Sequence, residues 1–151
     1  MFKNITIVIL LLCIIVLSGC KKDEPGWQYC SDCELSTWTG LYEGEGDYYN
    51  GSNDETSPNV LTSIQIENVS GNVLKTTIVV DDKISTSFTS TKNDTKYYYN
   101  VPGSNKSLNL NLSTKGEEYK LSGTVKIFHY QKDTLVTDHS ISFDAFKVLP
   151  I

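Results

Sequence analysis

The chain has 151 residues, with 18 acidic and 13 basic side chains and a formal net charge of −5. Every basic residue is a lysine, which argues against nucleic-acid recognition and against a planar clamp for phosphate or carboxylate. An acidic surface suits solubility, or attraction to a basic partner.

Residues 5–17, ITIVILLLCIIVL, carry no charge, and Lys3 precedes them. This pattern predicts a secretory signal peptide over residues 1–19. The apolar run is shorter than the roughly 20 residues that span a bilayer as a helix. Its exit, Leu17-Ser18-Gly19-Cys20, resembles the lipobox of bacterial lipoproteins. The resemblance implies cleavage before Cys20, a thioether-linked diacylglycerol on its sulfur and acylation of its new amino group. One such chain anchors marginally, while two or more, at about 0.8 kcal/mol per buried CH₂, anchor stably. Lys3 is the only charged residue removed, so the mature net charge is −6.

Residues 20–36 read as a lipidated polar tether. Within it, Lys21-Lys22-Asp23-Glu24 resembles the short charged signal that sends some lipoproteins of Bacteroidota-type bacteria to the cell exterior; the plainer reading is a solvated linker. The expected address is the bacterial cell envelope, as an outer-membrane lipoprotein exposed at the surface. Four cysteines reduce to two once Cys13 leaves with the leader and Cys20 is acylated. Cys30 and Cys33 are expected to form a short-range disulfide outside the cytoplasm. A redox pair wants a βαβ context that is lacking here. Zinc needs two further ligands, and the chain has only His129 and His139.

From Thr37 the period is two. In residues 37–49, Trp38, Gly40, Tyr42, Gly44, Gly46 and Tyr48 share one face, and Leu41, Glu43, Glu45 and Asp47 the other. Further alternating segments follow at 60–67, 73–80, 84–88, 96–101, 107–112, 119–130 and 135–148, separated by short polar turns. No segment sustains an i, i+3, i+4 apolar pattern. Eight strands joined by short links predict an antiparallel up-and-down β-barrel over residues 37–151, which removes its edges by closing. A β-sandwich is the alternative. The order of the strands, with Trp38-Thr39-Gly40-Leu41-Tyr42 opening the first, resembles the lipocalin-like (calycin-like) lipoproteins of Bacteroidota. That resemblance implies a barrel that binds rather than catalyses.

Glu43, Glu45 and Asp47 lie two apart and share the wet face, near Asp54 and Glu55 in the next loop. Calcium would suit such a set, but the loop lacks EF-hand spacing, and a solvated outer face is the simpler reading. Outward carboxylates also lack the pocket a glycosidase acid needs. His129 and His139 share parity with the inward residues of the last hairpin, which suggests a rim or hydrogen-bonded role. No Gly-x-Ser-x-Gly elbow and no phosphate loop occurs, and no metal or cofactor is expected. Asp133-Thr134-Leu135 resembles the O-glycosylation acceptor of the same bacteria, which marks Thr134.

The chain has nine tyrosines. Trp38, Tyr42, Tyr48, Tyr97 and Tyr99 are candidate ligand or rim contacts, or simply half-buried strand residues. The large inward set of Trp38, Tyr42, Ile64, Phe88, Leu110, Val125 and Phe143 favours a filled interior. The expected function is a non-catalytic, membrane-anchored binding module for a small apolar ligand, a glycan or a protein, with no nucleic-acid partner. The alternative is an inhibitor or immunity-type protein that binds a basic enzyme through its acidic face.

Overall fold

A computed structural model describes residues 26–91, 96–101 and 103–149. The lipobox, Cys20 and the charged signal at 21–24 lie outside these residues. The described chain is all-β apart from one helical turn. Its elements are β1 (Gln28–Tyr29), α1 (Leu35–Trp38), β2 (Gly40–Asn50), β3 (Glu55–Ser70), β4 (Val73–Val80), β5 (Ile84–Thr91), β6 (Lys96–Tyr99), β7 (Lys106–Lys115), β8 (Glu118–Gln131) and β9 (Thr134–Lys147).

The strands form one antiparallel sheet in the order β1-β7-β8-β9-β2-β3-β4-β5, with β6 also on β7. The runs β2–β5 and β6–β9 each meander, and β9 returns beside β2. β9 pairs β2 from Tyr42–Lys147 to Asn50–His139. The all-β, antiparallel meander expected from the alternation is present; the closed ring is not. Among the described residues no ladder joins β5 to β6. Side chains cross this seam instead. Ser90 Oγ donates to the Tyr98 carbonyl at 3.1 Å, Lys106 Nζ donates to the Ser87 carbonyl at 2.6 Å, and the rings of Phe88 and Tyr99 meet edge-on at 5.4 Å.

Period-two alternation explains the core. Ile64 and Ile66 on β3, Leu74, Ile78 and Val80 on β4, and Leu108, Leu110 and Leu112 on β7 all point inward and are buried. Each such side chain contributes roughly 1.5–3 kcal/mol through removal from water. Trp38, Tyr42, Phe88 and Tyr97 add large rings to the same interior. The seven residues expected inside are all in this core.

The folded unit begins earlier than expected. Gln28 and Tyr29 pair with Thr114 and Ser113, and Cys30 N–H donates to the Leu112 carbonyl at 3.0 Å, so the end of the predicted tether is docked on β7. Cys30 and Cys33 are disulfide-bonded, with Cα atoms 5.5 Å apart. The strand expected from residue 37 is preceded by α1, a turn too short to leave a 3.6-residue signature. α1 carries Trp38 into the core, and Gly40, at φ +133°, redirects the chain into β2. The Tyr42 hydroxyl lies 3.1 Å from the Thr37 and Trp38 carbonyls, and Lys147 Nζ donates to Thr37 O at 2.8 Å. Carbonyl groups that the short helix leaves open thereby gain donors.

Candidate functional site

The aromatic residues marked from sequence as ligand or rim contacts are mostly interior. Trp38, Tyr42 and Tyr97 are fully buried, and Tyr48 nearly so. Each tyrosine hydroxyl has an internal partner: Tyr97 donates to Leu74 O at 2.8 Å, and Tyr48 meets His139 Nδ1 at 2.9 Å. Burial raises the Tyr42, Tyr48 and Tyr97 phenols above their ordinary value. Tyr99 packs part-buried against Phe88. These residues hold the core together.

The two histidines do not converge. His139 pairs with Tyr48, while His129 Nδ1 pairs with Asp138 Oδ1 at 2.7 Å on the exposed surface. Between them the β8–β9 ladder has an irregularity: Ile127 pairs with His139 but Phe128 with Thr137, so Asp138 is the extra residue on β9. Thr134 is exposed and opens β9 just after a turn in which Lys132 and Asp133 both adopt positive φ. No group of three or more metal-ligating side chains occurs among the described residues.

Glu43, Glu45 and Asp47 are exposed, as their parity demands. The ladder sets two of them beside residues that the sequence alone does not connect. Tyr98, Asn109, Thr124, Ser142 and Asp47 are successive cross-strand partners from β6 through β7, β8 and β9 to β2. The next row runs Asn111, Ser122, Asp144 and Glu45. Apart from Tyr98, these two rows line an open depression of about 500 Å³. Within it Ser122 Oγ donates to Asp144 Oδ1, and the Thr124 and Ser142 hydroxyls lie 3.4 Å apart. Lys120 Nζ lies 3.5 Å from the other Asp144 oxygen. Asn111 Oδ1 is shielded from solvent and has no hydrogen-bond partner among the described residues.

Gly123 allows the strands to approach here: a Cβ on it would sit 2.7 Å from the Asn109 carbonyl oxygen and 2.8 Å from the Phe143 ring. A second open depression, about 700 Å³, adjoins the first and shares Asn109 and Thr124 with it. Its border adds Tyr98, Phe128, Leu135 and Lys126. Tyr98 is half exposed. The combined surface offers amides, hydroxyls and carboxylates that both donate and accept, with an aromatic face at one end. Such a set suits a ligand rich in hydroxyl groups, whose polar edges take hydrogen bonds and whose C–H faces stack on a ring.

No protein-family profile, characterised protein or solved structure matches this chain.

Proposed function

We propose that this chain is a non-catalytic lipoprotein of the bacterial outer membrane, held by acyl chains on Cys20, whose barrel-like domain binds a glycan on its outer face. The observation that carries this reading is the continuous outward row Tyr98–Asn109–Thr124–Ser142–Asp47. A core filled by large side chains argues against a lumenal apolar ligand. The exposed row supplies the mixture of hydrogen-bonding groups and aromatic surface that oligosaccharides engage. A barrel-like reading, rather than a sandwich, is supported by the return of β9 to β2 and by side-chain contacts across the β5–β6 seam. The test is a glycan-array screen of the native protein beside Tyr98→Ala and Asn109→Ala. Binding by the native protein that both variants weaken supports the reading; an array without bound glycans, or variants that bind as the native protein does, refutes it.

A second reading, inhibition of a basic enzyme, draws on a different observation. Glu43, Glu45, Asp81 and Asp82 border a depression that also exposes Leu61 and Val79. Carboxylates around apolar residues suit a cationic protein surface. A salt-sensitive complex with lysozyme would favour this reading over the first.

A further inference from the structure

We propose that the face formed by Trp27, Tyr29, Phe146 and Leu149 rests on the surface of the bilayer that holds the Cys20 acyl chains. The proposal rests on the lipoprotein reading above. Trp27 is about one-third exposed, and Tyr29, Phe146 and Leu149 about half. They are neighbours rather than scattered. The Trp27 ring stands 5.8 Å from that of Phe146, with Lys120 Nζ 5.4 Å above it. Tyr29 and Phe146 belong to one outward row through Ser113 and Lys120. Phe146 and Leu149 border one depression beside Lys147. Contiguous exposed apolar surface marks a place of contact.

The course of the chain selects the occupant. The described residues begin at Gly26, directly before Trp27, and five residues lie between Cys20 and Gly26, a span of six Cα-to-Cα steps. Fully extended, that span reaches at most roughly 20 Å. An acylated Cys20 therefore brings this face, rather than the opposite one, within reach of the membrane. Aromatic rings beside lysines are the composition that settles at the boundary of headgroups and acyl chains. Glu117 and Glu118 at the margin favour zwitterionic over anionic lipid. Ser142 lies four residues along β9 from Phe146, so the glycan row stands roughly 13 Å above the seated face.

The two tryptophans make the test direct, because Trp38 is fully buried and Trp27 is exposed. The mature protein is reconstituted in phosphatidylcholine vesicles that contain lipid brominated on its acyl chains near the headgroup. Expected are a blue shift and loss of Trp27 emission, absent from the Trp27→Phe variant. Phe146→Glu and Leu149→Glu should each abolish the quenching while the protein stays with the vesicles. Wild-type protein that is acylated yet unquenched overturns the seating and leaves the anchor intact. Trp27 shielded from an aqueous quencher but out of reach of bromine means that a second copy covers the face, which also overturns it. A mass spectrum without acyl chains on Cys20 refutes the lipoprotein reading itself, and the seating with it.

Discussion

The Tyr97 hydroxyl donates to the Leu74 carbonyl oxygen at 2.8 Å, through the interior from β6 to β4. β6 is short and has no ladder to β5, so this buried bond is one of the ties across the open seam. Removing the hydroxyl while keeping the ring, as Tyr97→Phe, should cost about 1–2 kcal/mol, because a buried acceptor loses its donor. Urea denaturation of the two proteins measures this. A variant as stable as the parent would mean that the seam holds without the bond.

Gly123 should not tolerate a side chain. Its Cβ would meet the Asn109 carbonyl at 2.7 Å, and that carbonyl belongs to the β7–β8 ladder. Gly123→Ala should therefore destabilise by about 1–3 kcal/mol through overpacking. It should also disturb the outward rows on either side. The thermal midpoint and the amide spectrum of Asn109 and Thr124 report both effects, and an unchanged midpoint would contradict the close approach.

Alkaline pH should unfold the domain through its buried tyrosines. Tyr42 is raised above 10.0 by burial and by the nearby Tyr119 phenol, and Tyr97 by burial. A raised folded-state pKa adds stability that is complete below the unfolded value and is lost as pH climbs above it. Lys147 works the other way: burial lowers its pKa, so its deprotonation relieves a penalty as pH rises. Stability should hold to about pH 10 and then fall steadily, with Tyr42→Phe falling less steeply. Circular dichroism across that range decides; equal slopes for the two proteins would contradict the assignment to Tyr42.

The Cys30–Cys33 disulfide closes a loop of very few residues. Loop entropy then limits its contribution to roughly 2 kcal/mol. Reduction should lower the unfolding midpoint modestly and leave the sheet folded. Loss of β-sheet circular dichroism on reduction at room temperature would show that β1 and α1 matter far more to the fold than their size suggests.

Tyr98 is the variant that separates binding from folding. Its ring is half exposed on a strand whose inward neighbour, Tyr97, carries the packing. Tyr98→Ala should change stability by no more than about 0.5 kcal/mol. If the glycan stacks there, affinity should fall about tenfold, or ~1.4 kcal/mol. Calorimetry with the array-selected glycan checks this.

The strands and their facing were legible because alternation is local. Ile64, Leu110 and Phe143 each sit in a segment whose oily residues recur every second position, and all three are interior. The rim or hydrogen-bonded role expected for His129 agrees with its exposed pairing to Asp138, but the extra residue at Asp138 leaves no trace in composition. α1 escaped because four residues are barely one helical turn. The outward row was illegible for a deeper reason. Asp47, Asn109 and Ser142 are far apart in sequence, and only the register of three ladders sets them side by side. By alternation Tyr98 faces away from Tyr97 and Tyr99, but nothing in the chain says what lies next to it.

The side-chain amides of Asn109 and Asn111 offer the most direct measurement of the central claim. Each gives its own pair of NH₂ resonances, and Asn111 Oδ1 has no partner among the described residues. A ¹⁵N titration with the glycan that the array selects should shift both pairs, together with the backbone amides of Thr124 and Ser142, and should leave the buried Ile64 and Leu74 in place. Shifts confined to interior residues such as Ile64 and Leu74, with Asn109 and Asn111 unmoved, would place the ligand inside the sheet and contradict the account.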